Sequence, residues 1–173
     1  FYYCNMKKFL TFLFILPLAL QAQIYPFKES FEGIPAGQLP TGWSGDMTIK
    51  SYHGLNDGKG LVADIGSNDF SDTAVTPLIG SLTNASVLTF FYRIVEQNIY
   101  PSTPANLSAG DTFQIKLSSD GINYTTVFQL DENSHNSTLN FVKKKVYLTQ
   151  FTGQTVQLMF YAQFGSGAKY FFD

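Results

Sequence analysis

Apolar and polar residues alternate with a period of two along most of the chain beyond its first two dozen residues, and the 3.6-residue period of an amphipathic helix is nearly absent. "SVLTFFYRIV", Ser86 to Val95, is rich in aromatic and β-branched residues and apolar at both parities, which predicts a central strand covered on both faces. In "DTFQIKLSSDGINYTTVFQL", Asp111 to Leu130, Phe113, Ile115 and Leu117 share one face. Tyr124, Thr126, Phe128 and Leu130 share a single parity after Asp120-Gly121, a dipeptide that tolerates the positive φ of a hairpin turn. "KKKVYLTQFTGQTVQLMFYAQFG" predicts two more strands about Thr152-Gly153-Gln154, with Val156, Leu158, Phe160, Ala162 and Phe164 alternating with polar or amphipathic neighbours. Two loops punctuate the pattern. Tyr100 to Asp111 carries two prolines and no periodicity, as a crossover between sheets does, and His53 to Gly60 is glycine-rich and polar. The expected fold class is all-β, a sandwich of two antiparallel sheets, and a last strand still open at "KYFFD" carries the expectation that the domain is truncated at its C-terminus and the natural protein continues.

The front of the chain follows different rules. From Met6, "MKKFLTFLFILPLALQAQ" orders two lysines, an apolar run and small residues around Ala22, the layout of a secretory signal peptide over residues 6–22 with cleavage expected between Ala22 and Gln23. The apolar run is shorter than the ~20 residues a membrane-spanning helix needs and contains Pro17, which favours a leader over an anchor. Residues 1–5, "FYYCN", do not resemble a leader's basic start and are read as upstream translation; residues 23–173 are then the mature domain. Cys4 is the only cysteine, so the exported domain is expected to hold together without a disulfide, and thiol catalysis and thiolate metal sites are set aside.

Composition narrows the partner. Seventeen Phe and ten Tyr in 173 residues, with 14% charged residues, suit strands packed on each other. A formal net charge of −2 gives no electrostatic reason for nucleic-acid binding, and Lys143-Lys144-Lys145 falls within an alternating segment as a solvated strand edge. His53 and His135 sit in separate loop-like segments, read as exposed, without metal-spaced partners or a G-x-S-x-G elbow. The thirteen acids permit a pair of glycosidase carboxylates without specifying one, and neither a phosphate loop nor a dinucleotide fingerprint is present. Oxygen-bearing side chains do gather between Asn56 and Asp72, the donor type that hard cations such as Ca²⁺ take, although polar turns have the same composition. Four Asn-x-Ser/Thr triplets, at Asn84, Asn106, Asn123 and Asn136, are given no role because the leader looks bacterial.

"SFEGIPAGQLPTGWS" (Ser30 to Ser44), "SDTAVTPLIGSLTNASVLTFFYRIV", "AGDTFQIKLSSDGINYTTVFQL" and "LTQFTGQTVQLMFYAQFGSGAKYFFD" together, in this order, resemble the choice-of-anchor J domains of secreted Bacteroidota proteins. These are relatives of the cleaved adhesin domains of gingipain proteases and, more distantly, of MAM domains, and the resemblance runs from about Phe27 to the end. It implies a jelly-roll β-sandwich exported across the envelope, usually as an accessory module of a larger surface or secreted protein with type IX secretion or a downstream sorting domain as its route to the membrane. It implies that Phe31 packs inward from a first strand, that Trp43 closes the end of the core, and that a structural Ca²⁺ is held at the rim by Glu32 and Asp173, with loop oxygens near Asn56 and Asp57 completing the shell. The expected function is non-catalytic binding or adhesion to an extracellular carbohydrate or a host or matrix protein. An accessory domain of a secreted peptidase or glycoside hydrolase and a structural spacer stand as alternatives.

Overall fold

The computed structural model describes residues 27–96, 103–165 and, as backbone, 170–172. The expectations for the leader, for cleavage after Ala22, and for Asp173 lie outside these residues. Among the described residues there are eleven strands and, apart from two three-residue 3₁₀ turns at Leu55–Asp57 and Thr149–Phe151, no helix. None is therefore long and apolar enough to cross a membrane.

The strands are β1 (Ser44–Gly45), β2 (Thr48–Ser51), β3 (Lys59–Ile65), β4 (Ser71–Val75), β5 (Val87–Tyr92), β6 (Ile94–Glu96), β7 (Thr112–Ser118), β8 (Thr125–Leu130), β9 (Val142–Tyr147), β10 (Gln157–Gln163) and β11 (Tyr170–Phe172). Every pairing is antiparallel. A five-stranded sheet runs β1-β4-β10-β7-β8, and the other layer consists of a four-stranded sheet, β2-β3-β11-β6, and the pair β5-β9. Six of the eight pairings join strands that are not consecutive in the chain, the exceptions being β2-β3 and β7-β8, and these crossovers make this a jelly-roll β-sandwich. One continuous core joins the layers: Ala74, Phe113, Ile115, Leu117, Leu158 and Ala162 from the five-stranded sheet meet Ala63, Ile65, Tyr92 and Ile94 from the other side. Most of them alternate with exposed or half-buried neighbours, the period of two seen in the sequence, while Val62 and Val95, beside Ala63 and Ile94, are buried as a separate pair.

Several expectations are corrected in detail. Ser86–Val95 is two strands that break at Arg93: β5 pairs with β9, and β6 pairs with β11. β5 is not doubly covered, since Thr89 and Phe91 are exposed. At the break the Arg93 guanidinium lies 4.7 Å from the centre of the Phe141 ring, so a cation–π contact accompanies the change of sheet. Phe31 is not on a strand either. It occupies a turn with φ 63°, where the Glu29 carboxylate accepts the N–H groups of Ser30 and Phe31 at 2.9 and 2.7 Å. The β7–β8 connection is wider than a two-residue hairpin. Gly121 takes the expected positive φ (73°), while Asp120 organises the loop by accepting the N–H of Ile122 and of Asn123 and the side-chain amide of Asn123. Those bonds, the Asn123 amide first among them, hold the Asp120 carboxyl well below the usual range. β9, with its three lysines, pairs only with β5 among the described residues, so the charged strand edge stands as read.

Candidate functional site

The outward face of the five-stranded sheet carries its chemistry in registered rows. Thr73 on β4 pairs with Tyr161 on β10, Tyr161 with Gln114 on β7, and Gln114 with Gln129 on β8. Because side chains of directly paired residues stand side by side on one face, this register sets a hydroxyl, a phenol ring and two carboxamides in a line across four strands. The carboxamide of Gln114 donates to that of Gln129 at 2.9 Å, and the Tyr161 hydroxyl donates to Gln163 Oε1 at 3.1 Å. The neighbouring row is Val75, Met159, Lys116 and Thr126, and from it the Lys116 ammonium reaches to 4.2 Å from the centre of the Tyr161 ring. An aromatic ring framed by groups that both donate and accept is suited to a ligand with C–H faces and hydroxyl edges. Sequence reading exposed the polar parity of β7 and β10. It did not expose the row, because register between strands far apart in the chain has no local signal.

The expected cation site is brought together in part. Glu32 Oε1 accepts the backbone N–H of Lys59 at 3.0 Å and lies so close to Gly58 that a Cβ there would overlap it. Asp57 precedes that glycine, exposed, and both Asn56 and Asp57 adopt the left-handed conformation, with φ 55° and 60°. Residues 27 positions apart are thus fixed to one loop, and its glycine is what lets the carboxylate in. The Lys59 ammonium meanwhile donates to the Glu32 and Ile34 carbonyls at 3.1 and 2.6 Å. Among the described residues no three acidic, histidine or cysteine side chains converge in a metal-binding group.

Trp43 stacks on Phe160 with ring centres 6.0 Å apart and planes 7° from parallel, and Phe27 and Phe31 pack against it at 6.2 and 5.9 Å. The chain's one indole therefore lies on the core side of β10, at one wall of a 480 Å³ cleft. The cleft is also lined by His53, by Lys59, Gly60 and Leu61 of β3 and by residues 88–92 of β5.

His135 is buried instead of exposed. Its Nε2 meets the Ala105 carbonyl at 3.1 Å, its ring packs 6.1 Å from Tyr92, and Nδ1 has no partner among the described residues. Burial pushes its pKa down, which keeps the imidazole neutral, and its position ties the segment after β8 to the one after β6. Asp72 is also buried, its carboxylate accepting the Asp64 N–H at 2.6 Å. Desolvation raises its pKa above that bond's opposing effect, and the nearby Asp69, Asp46 and Asp64 add to the rise.

No protein-family model matches the chain, and no curated protein does. Among solved structures it is similar to the carbohydrate-binding module TmCBM61, determined in complex with β-1,4-galactotriose, at 10% identity and a TM-score of 0.47 over 75% of this chain and 81% of that one.

Proposed function

We propose that this domain is a non-catalytic adhesion module that recognises carbohydrate through the outward face of the five-stranded sheet. The observation that carries the reading is the row Thr73, Tyr161, Gln114 and Gln129, which offers one ring to stack on a sugar and carboxamides to bond its hydroxyls. The leader-like segment from Met6 supports export, and the ordered motifs from Phe27 onward support membership of the choice-of-anchor J group, as part of a larger type IX-secreted surface protein. A glycan array followed by titration of the best-retained sugar tests the binding. Tyr161→Ala is expected to weaken it about tenfold, the equivalent of ~1.4 kcal/mol of lost stacking, with the melting temperature nearly unchanged because the ring lies outside the core. Retention of no glycan, or equal affinity in the variant, would remove this face from consideration.

Calcium at the rim belongs to the same proposal. Its support is the glycine-made seat for Glu32 beside Asp57, an all-oxygen donor set of the kind Ca²⁺ takes, with Asp173 as the expected third acid. Bound calcium would tie the Phe31–Glu32 turn to the 53–60 loop. Saturation at about 100 times the dissociation constant is expected to add ~2.7 kcal/mol of stability, reversed by a chelator. Glu32→Gln should abolish that gain, and a melting curve indifferent to both calcium and chelator rules the ion out.

A further inference from the structure

The β5-β9 pair turns one face to the core and the other to solvent. Leu88, Phe90, Val142 and Val146 pack against the core beside the buried Tyr92. The opposite parity carries Thr89, Phe91, Lys143, Lys145 and Tyr147, all exposed, with Val87 half-buried. The register sets Val87 opposite Tyr147, Thr89 opposite Lys145 and Phe91 opposite Lys143, so these six side chains make three rungs of one solvent-facing ladder. Lys144, opposite Phe90, has the inward parity and is half-buried. The run of three lysines is thereby divided, with two on the outer face and one behind it.

This ladder differs from an ordinary solvated strand pair in two respects. Phe91 is 41% exposed and Tyr147 70%, although either ring would gain by burial. The cations are also set among these rings: the Lys143 ammonium lies 5.5 Å from the centre of the Phe91 ring, and Lys145 stands between Lys143 and Tyr147 on β9. Among the described residues no carboxylate pairs with either ammonium, and none of the six positions is acidic. The face is therefore positive in a chain whose formal net charge is −2. The outward lysines are roughly 6.8 Å apart along β9, and the two rings roughly 14 Å apart along the ladder.

We propose that this face is a second binding site, for an acidic polysaccharide. Phe91 and Tyr147 stack on the C–H faces of sugar rings, and Lys143 and Lys145 pair with carboxylates or sulfates carried between them. The site is on the layer opposite the row of Thr73, Tyr161, Gln114 and Gln129, and it does not rest on the reading of that row. Its sparse charge suits a polymer with anions on some of its rings, whereas a nucleic acid, with a phosphate at every residue, calls for denser clusters of Lys and Arg. The leader-like segment from Met6 favours an extracellular polymer as well.

The test titrates the full chain with polygalacturonate, dextran sulfate, neutral dextran and a single-stranded oligodeoxynucleotide. Binding to one or both acidic polysaccharides and not to dextran is expected, the first two probes separating carboxylate from sulfate as the anion. Replacing Lys143→Gln and Lys145→Gln together should weaken that binding about tenfold. Tyr147→Ala should weaken it about fivefold, with the melting temperature unchanged because the ring is exposed. Lys144→Gln removes the same charge from the inward parity and should change affinity less than about twofold. Binding of neither acidic polysaccharide, equal binding of dextran, tighter binding of the oligonucleotide, the same loss from Lys144→Gln as from the outward pair, or a loss produced by Tyr161→Ala and not by Tyr147→Ala would each overturn the proposal.

Discussion

Asp111→Ala is expected to destabilise the domain by about 3 kcal/mol, the combined effect of losing two hydrogen bonds to a charged acceptor at about 1.5 kcal/mol each. Asp111 is fully buried, and its two oxygens take different donors: Oδ2 accepts the Ser108 N–H at 2.6 Å and Oδ1 the Gly165 N–H at 2.7 Å. The first bond closes the end of the crossover that enters β7. The second fastens that corner to the chain leaving β10, where Gly165 packs so tightly on the Gly110 backbone that a Cβ would overlap it. Asp111→Asn keeps the volume but replaces one acceptor with an amide that faces an N–H, so about half the loss is expected. Urea unfolding measures both, and for a domain of this size 3 kcal/mol corresponds to a fall of about 10 °C in melting temperature. A loss under about 1 kcal/mol in the alanine variant would show that the corner relaxes and hydrates.

The core was legible in the sequence because a period of two decides which face a side chain takes, and burial obeys it: Phe113, Ile115 and Leu117 are all buried, as are Leu158, Ala162 and Phe164. The same period is silent on partners. Ser86–Val95 reads as one strand because nothing local marks the change of sheet at Arg93; the ring that meets its guanidinium is Phe141, 48 positions away by number. His135 was misread for a similar reason, since its polar neighbours describe a loop and the Ala105 carbonyl that receives its ring comes from another crossover. At the rim, the resemblance set Glu32 and Asp57 in one candidate group, and what no sequence pattern marks is that the Glu32 carboxylate sits against Gly58, where a Cβ would overlap it. The row on the outer sheet face had no such pointer. Its members come from four strands whose alignment depends on crossovers and on the irregularity between Ile115 and Lys116.

Phe128→Ala is expected to cost about 3 kcal/mol, the lower end for a large aromatic because the ring is half-buried. Its position makes the loss uneven. Phe128 meets Phe90 edge-on at 5.1 Å, Tyr92 at 6.5 Å and Phe113 at 6.5 Å, so one ring on β8 joins the five-stranded sheet to β5. The β5-β9 pair has no other strand beside it among the described residues, and a two-stranded ribbon is marginal in water without a surface to pack on. Removing the ring weakens that attachment while leaving the ladder of β4, β10 and β7 intact. Native-state hydrogen exchange should therefore show the amides of β5 and β9 losing protection first, in a sub-global opening that the β7 and β10 amides do not share. If protection falls equally across both layers, the pair is held by the rest of the core and the aromatic cluster is not its fastening.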